Sequence, residues 1–346
     1  MTDRRIMKSF LPILPFVLAW FAAPAHAQDA PPEKKPEPPQ YTFLWKVEHE
    51  GLPANFLFGT IHVPDDRVNT LHPDVKSALN AADAFYAELE LDDTTELQSK
   101  LIEAAALPEG ETLKTLLPVD LYAEVERAFA DQKMMLRAVQ GFKPFMVQLM
   151  LLQQEMLADM LAGKEPLDIR LYKVAQSKGK QVGGVEVVDE QIQALCNTLT
   201  VEEQITSLRE GLEQHFEAKE RGESPLRRML MAWLSGSERW ILAVVMEDWD
   251  MHDPIQRKSY EALLPARNRN MAARSAKLMR ENPDKKFVFA FGTFHFIGED
   301  SVVVLLRKDG FTVTRLLAPP PELEERWIAE DPGLAKEEET VEVGGQ

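Results

Sequence analysis

Residues 56–62 read Phe-Leu-Phe-Gly-Thr-Ile-His, and residues 289–295 read Phe-Ala-Phe-Gly-Thr-Phe-His. Five of the seven positions are identical across a separation of 233 residues. Each copy is an apolar run with the length and composition of a buried strand, followed by Gly, Thr, one further residue and His. An imidazole therefore emerges just beyond the carboxyl end of each strand, the edge at which open α/β sheets bind their ligands. If the two strands are neighbours or next-neighbours, His62 and His295 converge from opposite ends of the chain. Two neutral imidazoles in one place suit a divalent transition metal. Gly59 and Gly292 are expected to permit the backbone turns that aim the rings. For either motif alone, a strand end whose imidazole bonds a backbone carbonyl is the better account; the repetition reverses that preference.

Working outward, short β-rich runs at 42–47, 55–59, 84–91, 181–185, 287–291 and 311–317 supply a sheet. Amphipathic helical patterns at 73–82, 95–106, 118–131, 142–163, 168–178, 200–221, 225–248, 255–264 and 267–281 outweigh them several fold. Most strands are separated by helical segments too long for a hairpin. The fold class is thus α/β, a mixed, largely parallel central sheet with large helical insertions, whereas residues 42–59 form a hairpin turning at Glu50-Gly51. Met134, Met135, Met146, Met150, Met156 and Met160 admit a reading as an adaptable binding face, but at helical spacing core packing is preferred.

The chain has 346 residues and a net charge of -17, a field that repels phosphate backbones, so no nucleic-acid partner is expected. Its single cysteine, Cys196, rules out an intrachain disulfide and a CxxC zinc site, leaving His and carboxylate as metal ligands. Arg4, Arg5 and Lys8 precede an apolar run, and Ala25-His26-Ala27 supplies the small residues of a cleavage site. Residues 1–27 therefore read as a signal peptide, which places the product in the periplasm or outside the cell. No later run is apolar enough for an integral membrane segment after cleavage. Residues 28–40 are a proline-rich linker, 41–318 the folded domain, and 319–346, with nine acidic and two basic residues, a solvated, disordered acidic tail.

Other chemistry-bearing residues cluster at strand ends. Glu88 lies in the run 84–91, expected beside the first His strand because one short helix separates them. An ionised Glu there needs a cation or good donors, unless Tyr86, Glu88 and Glu90 simply face water. Glu186 follows the run 181–185 and reads either as a further ligand or general base, or as a carboxylate at a helix start. Arg267 and Asn268 follow Pro265 and read either as oxyanion or substrate-carboxylate binders or as solvated surface. His49, His72, His215 and His252 lie in turn or helix contexts without a partner motif.

In order along the chain stand Leu57-Phe58-Gly59-Thr60-Ile61-His62-Val63-Pro64, Ala87-Glu88-Leu89-Glu90-Leu91, Gly184-Val185-Glu186 with Glu190-Gln191, Ala232-Trp233-Leu234-Ser235-Gly236-Ser237, Arg267-Asn268 with Met271-Ala272, and Phe291-Gly292-Thr293-Phe294-His295. This series resembles the TraB/GumN family, related by resemblance to the Tiki metalloproteases, over roughly residues 43–317. The resemblance implies an erythromycin-esterase/ChaN-like fold and a metal-dependent peptidase-like site. His62, His295 and Glu88 are then the metal ligands, Glu88 doubling as a catalytic group with Glu186, Arg267 and Asn268. The implied ion is divalent, manganese or cobalt ahead of zinc, and the implied partner a peptide or protein substrate. Alternatives are a protein that binds peptides without cutting them, and a haem- or iron-binding protein. Glu90 stands where the family usually has Asp, and Phe294 and Phe296 flank the second His where smaller residues are frequent, which would narrow the pocket.

Overall fold

Strand β1 (Leu44–Glu48) and strand β2 (Asn55–Thr60) pair antiparallel, with Leu44 opposite Phe58, and the link between them turns at Gly51, whose φ is 77°. The hairpin is as expected. These features come from a computed structural model that describes residues 36–92, 95–247 and 249–331. Residues 1–27, read as a signal peptide, and residues 28–35 of the expected linker lie outside the described residues.

Four further strands, β3 (Ala84–Ala87), β4 (Gln181–Gly184), β5 (Phe287–Gly292) and β6 (Thr312–Leu316), complete a six-stranded sheet in the order β4-β3-β5-β2-β1-β6. Neighbours from β4 to β2 are parallel, and β1 is antiparallel to both β2 and β6. The fold is accordingly α/β with a mixed, mostly parallel sheet. The two motif strands are direct neighbours, staggered by one residue, so that Thr60 lies opposite Gly292. One placement differs from expectation: β3 lies beside β5, and β5 separates it from β2. A helical crossover requires only that the next strand be parallel, not adjacent, and the last motif strand takes the central place. β3 also stops at Ala87, so Glu88 stands just past its end.

The sheet is glued by aromatic packing. Phe287, Phe289 and Phe291 of β5 are fully buried, and Tyr86 of β3 lies 5.9 and 6.0 Å from the first two rings. A second apolar core sits among the inserted helices, where Met146 and Met150 of the helix Phe145–Leu161 pack with Leu121, Val125, Leu208 and Leu212. Met156 and Met160 join the sheet core, so these four methionines fill space, whereas Met134 is exposed. Residues 225–248 do not form one helix. Gly236, with φ 72°, ends the helix Pro225–Ser235, and Ser237 caps the next, Glu238–Met246.

The acidic tail is corrected over its first part: residues 321–330 form the helix Pro321–Glu330. Trp327 stacks on Trp240 at 6.2 Å, and Asp331 accepts from Trp240 Nε1 at 2.7 Å and Arg228 Nε at 3.0 Å. Aromatic stacking and buried charge-assisted bonds outweigh the repulsion that composition alone suggests. Residues 332–346 lie outside the described residues. Among the described residues no helix is long and apolar enough to cross a membrane.

Phe289 is the central ring of this packing. Phe289→Ala is expected to cost about 3–5 kcal/mol, read as a lower urea midpoint with an unchanged slope; a loss below 1 kcal/mol would show that β5 is not the keystone described.

Candidate metal centre

β2 ends at Thr60, which puts His62 two residues past the strand, and β5 runs into the 3-10 turn Thr293–His295 that carries His295. Glu88 follows β3 on the other side of β5. The three side chains meet: His62 Nε2 is 3.8 Å and His295 Nε2 3.7 Å from the same Glu88 Oε1. Each ring is held from behind through its other nitrogen. His62 Nδ1 is 3.1 Å from Asp168 Oδ1, and His295 Nδ1 is 2.6 Å from Asn268 Oδ1. Asn268 Nδ2 donates to the Asp300 carbonyl, so its oxygen must be the acceptor and His295 Nδ1 the donor. This leaves the Nε2 lone pair of His295 facing the carboxylate. Carboxylate or amide acceptors behind ligating imidazoles are the usual outer partners of metal-binding histidines.

The motif glycines act otherwise than expected. Neither has a positive φ; Gly292 sits at φ -49°, ψ 134°. Their role is room for the opposite motif. A Cβ on Gly59 would lie 2.7 Å from Thr293 Oγ1 and 2.8 Å from Phe43 Cβ. A Cβ on Gly292 would lie 3.2 Å from both Glu88 Oε1 and His62 Nε2, filling the hollow where the three side chains meet. The Gly292 N–H donates to Glu88 Oε1 at 2.8 Å, so the same residue lines the hollow and orients its carboxylate.

A model of the TraB/PrgY/gumN family matches residues 43–315. The chain belongs to that family. It is 31% identical over 323 residues to metalloprotease TIKI2 of Danio rerio, an alignment covering 81% of this chain and 62% of that protein. To metalloprotease TIKI1 of Danio rerio it is 30% identical over 334 residues, covering 84% and 66%. To metalloprotease TIKI1 of Homo sapiens it is 29% identical over 340 residues, covering 84% and 65%. This TraB-family chain thus spans roughly two-thirds of the length of these curated relatives. No solved structure matches it.

Glu88 Oε2, Glu186 and Arg267 form a buried ion network beneath the hollow. Arg267 donates to Glu88 Oε2 at 2.8 Å and to both oxygens of Glu186 at 2.8 and 2.6 Å. Gln191 donates to both carboxylates, at 3.3 and 3.1 Å. Burial would raise the Glu88 carboxyl, but His295, Arg267, His62 and the Gly292 N–H outweigh it and hold Glu88 well below the usual carboxylate range. Burial, reinforced by the Arg267 charge, pushes His295 down to about 3 and keeps it neutral. At His62 burial also disfavours the imidazolium, yet Asp168 overcomes it and the pKa rises.

Of the residues singled out by sequence, His62, His295, Glu88, Arg267 and Asn268 come together around one hollow. Glu186 reaches it only through Arg267 and Gln191, which occupy both of its oxygens. Phe296 points into the core, stacked 5.2 Å from Phe291, and so does not narrow the hollow. The other histidines serve locally: His49 Nδ1 contacts the Glu50 carbonyl, and His72 caps the helix Pro73–Ala81. Sequence reasoning missed Asp168, whose Pro166-Leu167-Asp168 context reads only as a helix start, and gave Gln191 no role.

Two imidazole nitrogens and a carboxylate oxygen are donor types that divalent first-row ions accept. Ligand atoms about 2.1 Å from one ion are at most about 4.2 Å apart, and both His–Glu88 separations fall inside that bound. Among the described residues no group of three or more His, Cys, Asp or Glu side chains is so placed that it could hold a metal ion. The hollow is an open arrangement of neutral imidazole and anionic oxygen with Gly292 as its wall.

The two glycines should fail differently. Gly59→Ala is expected to destabilise the fold by about 1–3 kcal/mol through overpacking, measured by urea unfolding. Gly292→Ala is expected to leave the unfolding curve nearly in place while abolishing uptake of manganese, because its Cβ enters the hollow. Full metal uptake by Gly292→Ala would contradict the geometry.

Proposed function

We propose that this chain is an exported, metal-dependent hydrolase of the peptidase type, with His62, His295 and Glu88 holding a divalent ion. The observation that carries the reading is that both imidazole Nε2 atoms address one oxygen of one buried carboxylate, each ring backed by its own acceptor. The relatives named metalloproteases support the class of activity, and the leader-like residues 1–27 support export to the periplasm or beyond. Donors of two imidazoles and one carboxylate suit manganese or cobalt, and zinc also. The chemistry such an ion supplies is Lewis acidity, which activates water and polarises a peptide carbonyl.

The remaining residues prepare the site. Arg267 fixes Glu88 through Oε2, so that Oε1 is presented to the imidazoles as an anion that resists protonation. Glu186 neutralises and orients Arg267, and Gln191 bridges the two carboxylates. Asn268 and Asp168 fix the ring planes and place protons on Nδ1. His62 keeps 13% of its side chain exposed while His295 keeps 3%, so substrate approaches from the His62 side. A buried, preorganised dipole array of this kind stabilises charge developing on a scissile carbonyl without reorganising.

Metal analysis of the mature protein, with hydrolysis of a fluorogenic peptide library before and after chelation, tests the reading. His62→Ala and His295→Ala are each expected to lose the metal and more activity than the about 10–100-fold that loss of an outer-shell partner costs. Unchanged metal stoichiometry in both variants defeats the proposal, and a tightly bound peptide recovered intact replaces cleavage by sequestration. Affinity for the ion is also expected to fall on acidification. The ion needs deprotonated His62, whose raised pKa brings proton competition in at a higher pH than for an ordinary histidine. Calorimetric titration with manganese across the acid-to-neutral range reads this; a flat profile contradicts it.

A further inference from the structure

The two Gly-Thr-x-His turns are tied to each other as well as to their own strands. Thr293 Oγ1 donates to the Thr60 carbonyl at 2.9 Å and accepts from the Trp233 indole Nε1 at 2.9 Å. The same indole N–H also reaches the Gly59 carbonyl at 3.3 Å. Thr60 and Thr293 each stand two residues before a motif histidine, so this chain of bonds joins the backbone leading into His62 to the turn leading into His295. A hydroxyl has one proton and that proton is committed to Thr60, so the indole can address only a lone pair, and the direction of both bonds is fixed. All three residues are buried.

The repeat is chemically asymmetric at this position. Thr60 Oγ1 is buried with no hydrogen-bond partner, while the equivalent oxygen of Thr293 makes two bonds. The same residue type at the same motif position therefore serves as a link in one copy and as plain packing in the other. Trp233 itself is well anchored. Its helix, Pro225–Ser235, stops at Gly236, where an added Cβ would meet the backbone of Tyr41 and Thr42 at 2.8 Å, and Arg315 Nη2 donates to the Gly236 carbonyl at 2.9 Å. The indole packs 6.3 Å from the Phe43 ring, whose Cβ is the second close neighbour of Gly59.

We propose that Trp233 and Thr293 are positioning residues that set the spacing and orientation of His62 and His295 through a hydrogen-bond chain crossing the two motifs. The spacing is a property of the metal-free protein; only its consequence for ion affinity rests on the function proposed above. Trp233→Phe keeps the ring and removes the donor. Thr293→Val removes the link, Thr293→Ser restores the hydroxyl, and Thr60→Val removes only the unpartnered hydroxyl.

Histidine-selective isotope labelling of the metal-free mature protein reads the ring environments directly. The His62 and His295 ring signals are expected to shift in W233F and T293V, to stay in place in T60V, and to return in T293S. Manganese affinity is expected to fall about tenfold, the lower end for an outer-shell partner, in T293V, which breaks the direct bond to the Thr60 carbonyl, and by less in W233F, which leaves that bond in place. Ring signals unmoved in both W233F and T293V overturn the proposal. If W233F does not fold, T293V against T293S decides. A wild-type protein that takes up no manganese while its ring signals respond as described overturns the metal reading and leaves the brace standing.

Discussion

The parallel pairing of β2 with β5 is the constraint on which the site depends. It sets Thr60 opposite Gly292 and lets two strand ends, 233 residues apart in sequence, discharge their histidines over one carboxylate. Interstrand spacing of about 4.8 Å is close enough for the rings to face each other only if nothing intervenes. The bare Cα positions of Gly59 and Gly292 provide that clearance, each for groups of the other motif. The sheet is thereby closed at the carboxyl ends of β2 and β5 by an interlock of backbone, one hydroxyl and one indole.

Against this clearance stands an electrostatic cost. Glu88, Glu186 and Arg267 are all buried, and one cation faces two carboxylates. Desolvation of three ions is offset by five Arg267 and Gln191 contacts and by the Gly292 N–H. Such networks tolerate loss of one member poorly, because the charge left behind has no partner. An additional cation beside Glu88 Oε1 would offset the carboxylate charge that Arg267 leaves unmatched. The outer partners differ in charge: Asp168 behind His62 is anionic, and Asn268 behind His295 is neutral. Burial and the Arg267 charge hold His295 neutral, while Asp168 overcomes burial at His62 and raises its pKa.

Much of this was legible in the sequence because the informative residues repeat. A strand-Gly-Thr-x-His pattern occurring twice states both the sheet edge and the pair of imidazoles that meet there, whereas Glu88 and Arg267 each had a solvent-facing reading that only the fold removes. Strand order was not legible, since a crossover helix does not say which parallel position the next strand takes, and β5 enters between β2 and β3 from the far end of the chain. Asp168 was hidden because an acidic residue in a first helical turn has an ordinary local explanation. The glycines were read as turn formers because close approach between segments leaves no local mark. The helix Pro321–Glu330 was masked by its acidic composition, although Leu323 and Trp327 stand one helical turn apart and Trp327 stacks on Trp240.

The central claim is that one cation is shared by His62, His295 and Glu88. Anomalous diffraction from crystals of the mature protein grown with manganese tests it most directly, because it reports the ion and its ligands together. The account requires an anomalous peak in the hollow walled by Gly292, within about 2.3 Å of both Nε2 atoms and a Glu88 oxygen. A peak bound elsewhere, with both imidazoles still facing an unliganded Glu88, would contradict it.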